Sequence, residues 1–195
     1  VSPTRFHAFS RTPEREPLSR TRRIRALLAE SHPPDSAVTL VNGPADTTPG
    51  GARLDAYTAA AHAHGFTPRV ITAADFTTEA ALDALGDLMA DADARPSAVL
   101  ATNDLLAVGV MRAAARAGVQ VGADLGVVGM DDTVYANLVH PPLTSVSLGA
   151  AERATRAVEL LLHRIDHPGR AHRRVTVDPA LVSRESSPNR KEGSQ

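Results

Sequence analysis

Two short apolar runs in this chain end in side chains built for hydrogen bonding. Ser97 to Ala101 stops at Thr102-Asn103-Asp104, and Gly126 to Met130 stops at Asp131-Asp132. An amide both donates and accepts, whereas an ionised carboxylate only accepts. Asn103 and Asp131, placed side by side, would therefore suit a polyhydroxylated ligand. The same residue types also serve as plain caps. Thr102 or Asn103 can cap a following helix, Asp104 reads as a cap residue at the helix's positive end, and Asp131-Asp132 can close a turn.

The chemistry depends on elements that bring the two strand ends together. After Asp104 the apolar residues Leu106, Val110, Met111 and Ala114 recur at helical spacing, and Gly118 supplies a left-handed stop. From Ala37 onward the pattern alternates, with strands near 37–42, 67–72, 97–101 and 126–130 and helices near 51–64, 78–91 and 104–117. Alternation of this kind predicts a parallel sheet with right-handed crossovers and helices on both faces. The carboxyl ends of such strands border a common crevice, the usual ligand position in an open α/β sheet.

Beyond Pro141-Pro142 the chain is expected to cross to a second subdomain. A strand at Leu143 to Val146, a helix from Gly149 to Arg164, a strand at Arg174 to Val177 and the segment Ala180 to Arg184 would complete the core. The division expected is a lead-in over 1–36, a main subdomain over 37–142, a partial second subdomain over 143–186, and a disordered tail over 187–195.

In their order and spacing, LVNGPADTTPGGARLDAY, TAADFTTEAALDAL, LATNDLLAVGVMRAAARAGVQVGADLGVVGMDD, VHPPLTSV and LVSRES resemble the effector-binding domain of the LacI/GalR transcriptional regulators. The resemblance covers Asp35 to Ser186. It implies a type I periplasmic-binding-protein-like α/β fold, here one complete subdomain plus part of a second, and a homodimer. With half of that second subdomain lacking, the resemblance further implies that the strand at Leu143 to Val146 and the helix from Gly149 to Arg164 are partly exposed, which favours oligomers or weak stability. It also implies a role for four residues. Arg53 becomes the effector-binding arginine, Phe76 the aromatic against the ligand, and Asn103 and Asp131 the groups that bind hydroxyls. Their chemistry agrees: Arg53 offers a rigid fork of donors, and Phe76 a flat apolar face for a sugar ring or a base. Ala56 and Ala150 depart from the pattern, the first standing where glycine is usual and the second where some members carry a pocket-closing aromatic.

Family members read DNA through an N-terminal helix-turn-helix, and nothing from Val1 to Ser36 has that layout. The chain is thus expected to be a form shortened at its N-terminus that reaches DNA only through a helix-turn-helix it lacks. The lead-in is rich in arginine and proline, and only Ser19 to Ser31 reads as a helix, with arginines on its solvated face.

Composition excludes several classes. The chain has 195 residues, a net charge of −1 and 43% hydrophobic content. That is enough for a core, without a global field that attracts nucleic acid or membrane. With no cysteine, disulfides, thiolate catalysis and zinc-thiolate sites are excluded. No apolar run reaches the ~18 residues of a membrane helix, and no signal peptide opens the chain, so the cytoplasm is expected. His163 and His167 have metal-ligand spacing, but helix C-terminal electrostatics explain them, and neither metal nor cofactor is expected. A phosphate loop and a nucleophile elbow are both lacking. The reading is a non-enzymatic sensor of a small molecule, a sugar or sugar derivative. The alternatives are a stand-alone sugar-binding protein and a sugar or nucleoside hydrolase using Asp131 and Asp132.

Overall fold

Val38–Asn42 (β1) is apolar or β-branched at four of its five positions, and all five are buried. That is the signature of a central strand in a parallel sheet covered on both faces. The computed structural model describes residues 38–187. β1 lies between β2 (Arg69–Thr72) and β3 (Ala98–Ala101), followed by β4 (Gly126–Met130), β5 (Thr144–Ser147) and β6 (Ala180–Val182). The sheet order is β2-β1-β3-β4-β5-β6. The first five strands are parallel, and β6 runs antiparallel to β5. The half-open burial of β2 fits its place at the edge.

Side chains alternate across a strand, so each strand feeds two cores. Val38, Leu40, Ala98, Leu100 and Val128 face α1 (Thr48–Ala63) and pack with its buried Tyr57. Val41, Val99, Ala101 and Val127 face the other way, against Leu82, Leu85 and Met89 of α2 (Thr78–Ala90) and Leu106 and Val110 of α3 (Asp104–Arg116). The expected parallel sheet with helices on both faces is present. The Tyr57 hydroxyl donates to the Val38 carbonyl at 2.8 Å, which pins α1 to the sheet.

Two expectations are corrected. The strand expected to leave for a second subdomain stays in the same sheet: β5 pairs with β4 through Val128↔Thr144 and Met130↔Val146. After the prolines the chain turns back, the Leu143 N–H donating to the Ala136 carbonyl at 2.8 Å within the loop that holds α4 (Tyr135–Leu138). Leu143, Thr144 and Ser145 are consequently fully buried rather than exposed. Residues 174–177, expected as a strand, form no strand.

α5 (Ala150–Asp166) contributes no buried residue. Its apolar positions Val158, Leu161, Leu162 and Ile165 are 56–65% exposed, so this helix is the one element whose apolar stripe remains unpacked among the described residues. Ser187, the first residue of the expected tail, is buried. The helix expected over Ser19 to Ser31 and the remainder of the tail lie outside the described residues.

α2 and α3 touch closely because Gly109 has no side chain. A Cβ there would run into the Thr78 carbonyl and the Ala81 methyl, whereas a Cβ on Gly86 would meet nothing within 4 Å. Gly109→Ala is therefore expected to destabilise the fold by about 1–3 kcal/mol through overpacking. Gly86→Ala should stabilise it by roughly 0.5–1 kcal/mol through helix propensity. Urea denaturation of both variants checks the pair, and equal effects would contradict the packing described.

Candidate functional site

The chain runs from β1 to β2 on one side of the sheet and then returns to β3 on the other, so the crevice at the carboxyl ends of β1 and β3 is a topological switch point. The loop after β1 enters α1 through an N-cap: Thr47 Oγ1 accepts the Gly50 N–H at 3.2 Å and donates to the Pro44 carbonyl at 2.7 Å. The Asn42 amide donates to the Gly50 carbonyl at 3.0 Å. This entry places Arg53 one turn into α1, half-buried, with Nη2 3.7 Å from Asp131 Oδ1. The distance is too long for a hydrogen bond. The two groups attract each other without using up their donors and acceptors.

Asp131 and Asp132 follow β4 with φ of 106° and 50°. These left-handed values cost energy for residues other than glycine, although Asp tolerates them better than most. The turn is held by a buried carboxylate. The Asp131 N–H donates to the Val146 carbonyl at 2.9 Å and the Asp132 N–H to Ser145 Oγ at 3.0 Å. Ser145 Oγ in turn donates to Asp104 Oδ1 at 2.6 Å. The other Asp104 oxygen accepts from the Thr133 N–H at 2.6 Å and the Thr133 hydroxyl at 2.8 Å. Asp104 is 1% exposed. Its expected role as a cap is corrected: Asn103 is the N-cap, its Oδ1 accepting the Leu106 N–H at 2.7 Å, and this frees the Asp104 carboxylate to order the next loop.

The four anticipated site residues fall into two pairs. Arg53 and Asp131 meet as described. Asn103 meets Phe76, its amide donating to the Phe76 carbonyl at 3.2 Å. The Phe76 ring covers Gly43, where a Cβ would overlap it, and packs on the main core. Asn103 and Phe76 are thus committed to structure to a degree that the sequence did not reveal, although the Asn103 amide retains one N–H and spare acceptor capacity.

The crevice is open and encloses about 920 Å³. Of the four residues Arg53 lines it, together with Leu40, Leu100, Met130 and Phe66, the hydroxyl-bearing Thr102, and Arg153, Arg156 and Arg174 from the far wall. Thr102 is buried, and its Oγ1 has no hydrogen-bond partner among the described residues. Sequence reasoning missed three contributors. Arg184, inside the LVSRES run, pairs with Asp132 at 2.8 Å and donates to the Leu143 carbonyl at 2.7 Å. In the sequence Thr102 reads only as a cap. Arg153 gave no signal, since an arginine on an amphipathic helix reads as solvated surface. Burial pushes the Asp131 carboxyl above the usual range; the Arg53 and Arg153 guanidinium groups oppose that shift, and the Asp104 carboxylate adds to it.

Comparison with known proteins gives a consistent picture. Residues 19–187 match the periplasmic binding protein-like domain family. The ribose operon repressor of Escherichia coli strain K12 is 34% identical over 152 residues, 77% of this chain and 46% of that protein. The transcriptional repressor PurR of Mannheimia succiniciproducens is 33% identical over 111 residues, 57% of this chain and 33% of that one. Among solved structures, a dimeric Lac repressor with a C-terminal deletion superimposes with a TM-score of 0.76 at 25% identity, covering 86% of this chain and 60% of that one. A LacI family transcriptional regulator from Bifidobacterium animalis subsp. lactis gives 0.75 at 25% identity, covering 87% and 60%. The chain spans less than half the length of both repressors it matches in sequence.

Two outcomes follow from the buried carboxylate and its neighbour. Asp104→Ala strands the Ser145 and Thr133 donors and should cost roughly 3 kcal/mol in denaturant unfolding, given ~1–3 kcal/mol for each unsatisfied buried group. Asp131 behaves oppositely. Its folded pKa lies above its ordinary value of 3.8, so the folded state holds the proton more tightly. Its contribution to stability is full below pH 3.8 and is lost as pH rises through the raised value. Asp131→Asn, which stays neutral, should therefore gain stability relative to the parent across that interval. A difference between the two proteins that does not change with pH would contradict the burial of this carboxyl.

Proposed function

The chain belongs to the periplasmic binding protein-like domain family, among the effector-binding domains of LacI/GalR-type regulators, and from that premise we propose that it senses a small sugar or sugar derivative on behalf of a transcriptional regulator. The observation that carries this reading is the Arg53–Asp131 pair, held 3.7 Å apart beside the crevice at the switch point. A guanidinium and a carboxylate at that spacing offer donors and an acceptor to neighbouring hydroxyls at once, and neither is saturated by the other. Thr102 supplies a further polar group, and Leu100, Met130 and Phe66 supply apolar surface for the C–H face of a ring. Asn103 and Phe76 border the same strand ends and complete the set of ligand-binding residues.

Hydroxyl donors favour the ionised form of Asp131. Affinity for such a ligand therefore rises with pH through that residue's raised pKa. The crevice has the sheet ends on one side and α5 with residues 174–181 on the other. A ligand that binds better when the two sides approach shifts the population toward the closed arrangement. In the regulator as a whole, that shift would alter the grip of a helix-turn-helix on DNA within a cytoplasmic homodimer, with no catalysis and no cofactor. The names of the relatives, repressors of transcription, support this assignment. A hydrolytic role for Asp131 and Asp132 is opposed by Arg184, whose ion pair at 2.8 Å already occupies the second carboxylate.

Thermal unfolding of the purified chain against neutral sugars, sugar derivatives and nucleosides tests the proposal. A ligand of the native state stabilises it by about 2.7 kcal/mol at a hundredfold excess over Kd. Arg53→Ala and Asp131→Ala should each abolish a saturable shift while keeping a cooperative melt, because both side chains sit beside a crevice rather than inside the core. Unchanged binding in both variants would refute the site.

A further inference from the structure

Four arginines line the crevice, Arg53 from α1, Arg153 and Arg156 from α5 and Arg174 from the returning segment, and no Asp or Glu is among its lining residues. Their charges are not equally compensated. Arg156 is held by Glu152 at 3.8 Å and Glu159 at 3.0 Å along its own helix. Arg53 shares Asp131. The Arg153 guanidinium makes no hydrogen bond or ion pair among the described residues, and its charge is felt by that same Asp131. One carboxylate thus stands against two guanidinium groups.

The opposite wall adds to the positive field. Thr48 and Pro49, the first residues of α1, line the crevice. The first turn of this 16-residue helix holds no acidic residue, so no side chain within that turn offsets its positive end. Between the walls, Thr102 Oγ1 is buried and without a partner among the described residues. A neutral sugar would satisfy the hydroxyl and leave the charge excess untouched. A ligand carrying an oxyanion would answer both.

We propose that the ligand of this crevice is anionic, a sugar or polyol bearing a phosphate monoester or a carboxylate. Its charged group faces Arg153 and Arg53, and its hydroxyls reach Asp131 and Thr102. This rests on the sugar-sensing reading above and sharpens it from a hydroxyl-binding site to one that also demands negative charge. Guanidinium forks match phosphate and carboxylate oxygens in bidentate geometry, which gives selectivity as well as attraction.

Titration calorimetry on the whole chain with matched ligands decides the matter. The probes are ribose with its terminal phosphate ester, glucose with its terminal phosphate ester and with glucuronate, and inorganic phosphate alone. The charged member of a pair is expected to bind at least roughly tenfold more tightly than the neutral one, with a preference that weakens as salt is added. Glucuronate against the glucose phosphate ester shows which oxyanion is preferred. Arg153→Gln should bring charged and neutral members to within about threefold of each other, with the larger loss falling on the charged member. A neutral sugar that binds as tightly as its charged partner overturns the proposal while leaving sugar sensing intact. Inorganic phosphate binding as tightly as the sugar phosphates overturns it in favour of a simple ion site. No binding by any probe overturns both readings.

Discussion

One buried carboxylate organises the carboxyl ends of this sheet. Asp104 begins α3, yet its oxygens reach Ser145 of β5 and Thr133 of the loop after β4. It therefore ties three segments distant in sequence to a single point. Together with the Asp131 N–H bond to the Val146 carbonyl and the Asp132–Arg184 ion pair, those hydrogen bonds hold Asp131 and Asp132 in left-handed backbone and keep the Asp131 carboxylate at its station near Arg53. The arrangement tolerates no bulk beside it: a Cβ on Gly129 would crowd Asp104 Oδ1 and the Leu143 side chain. Position, strain and charge at the crevice are thus consequences of one desolvated acid being fully hydrogen-bonded.

Much of the architecture was legible in the sequence because it is local. The β1, β3 and β4 runs are short and apolar, the helices between them carry apolar residues at helical spacing, and each boundary has a physical marker. Thr77 and Asn103 cap α2 and α3, and Gly118 takes φ of 71° after α3. The partners of β5 were not legible. A four-residue strand carries no record of its neighbour in its own pattern, and the two prolines before it suggested departure where the backbone in fact folds back to pair with β4.

The site divided along the same line. Asn103 and Asp131 were visible because they end apolar runs, and Arg53 and Phe76 because they sit in motifs. What each touches was hidden. Asn103, whose residue type suggested an amide offered to a ligand, is spent in part on capping α3 and on the Phe76 carbonyl. Arg153 and Arg184 carry no local mark of what they meet. Their placement depends on where the chain returns after α5, a long-range fact that no local spacing encodes. Asp104 looked like a cap because a carboxylate beginning a helix usually is one.

The way the chain leaves and re-enters the sheet has its own consequence. Ser147 at the end of β5 pairs with Ala180 at the start of β6. The return is then stitched down by Ser186, whose hydroxyl accepts the Thr144 N–H at 2.8 Å and donates to the Val127 carbonyl at 2.6 Å. Everything from 148 to 179, α5 included, is therefore an insert hung from two adjacent points on a sheet that closes without it. Such an insert is mechanically separable: a change in its length or its outward face leaves the ladder beneath in register.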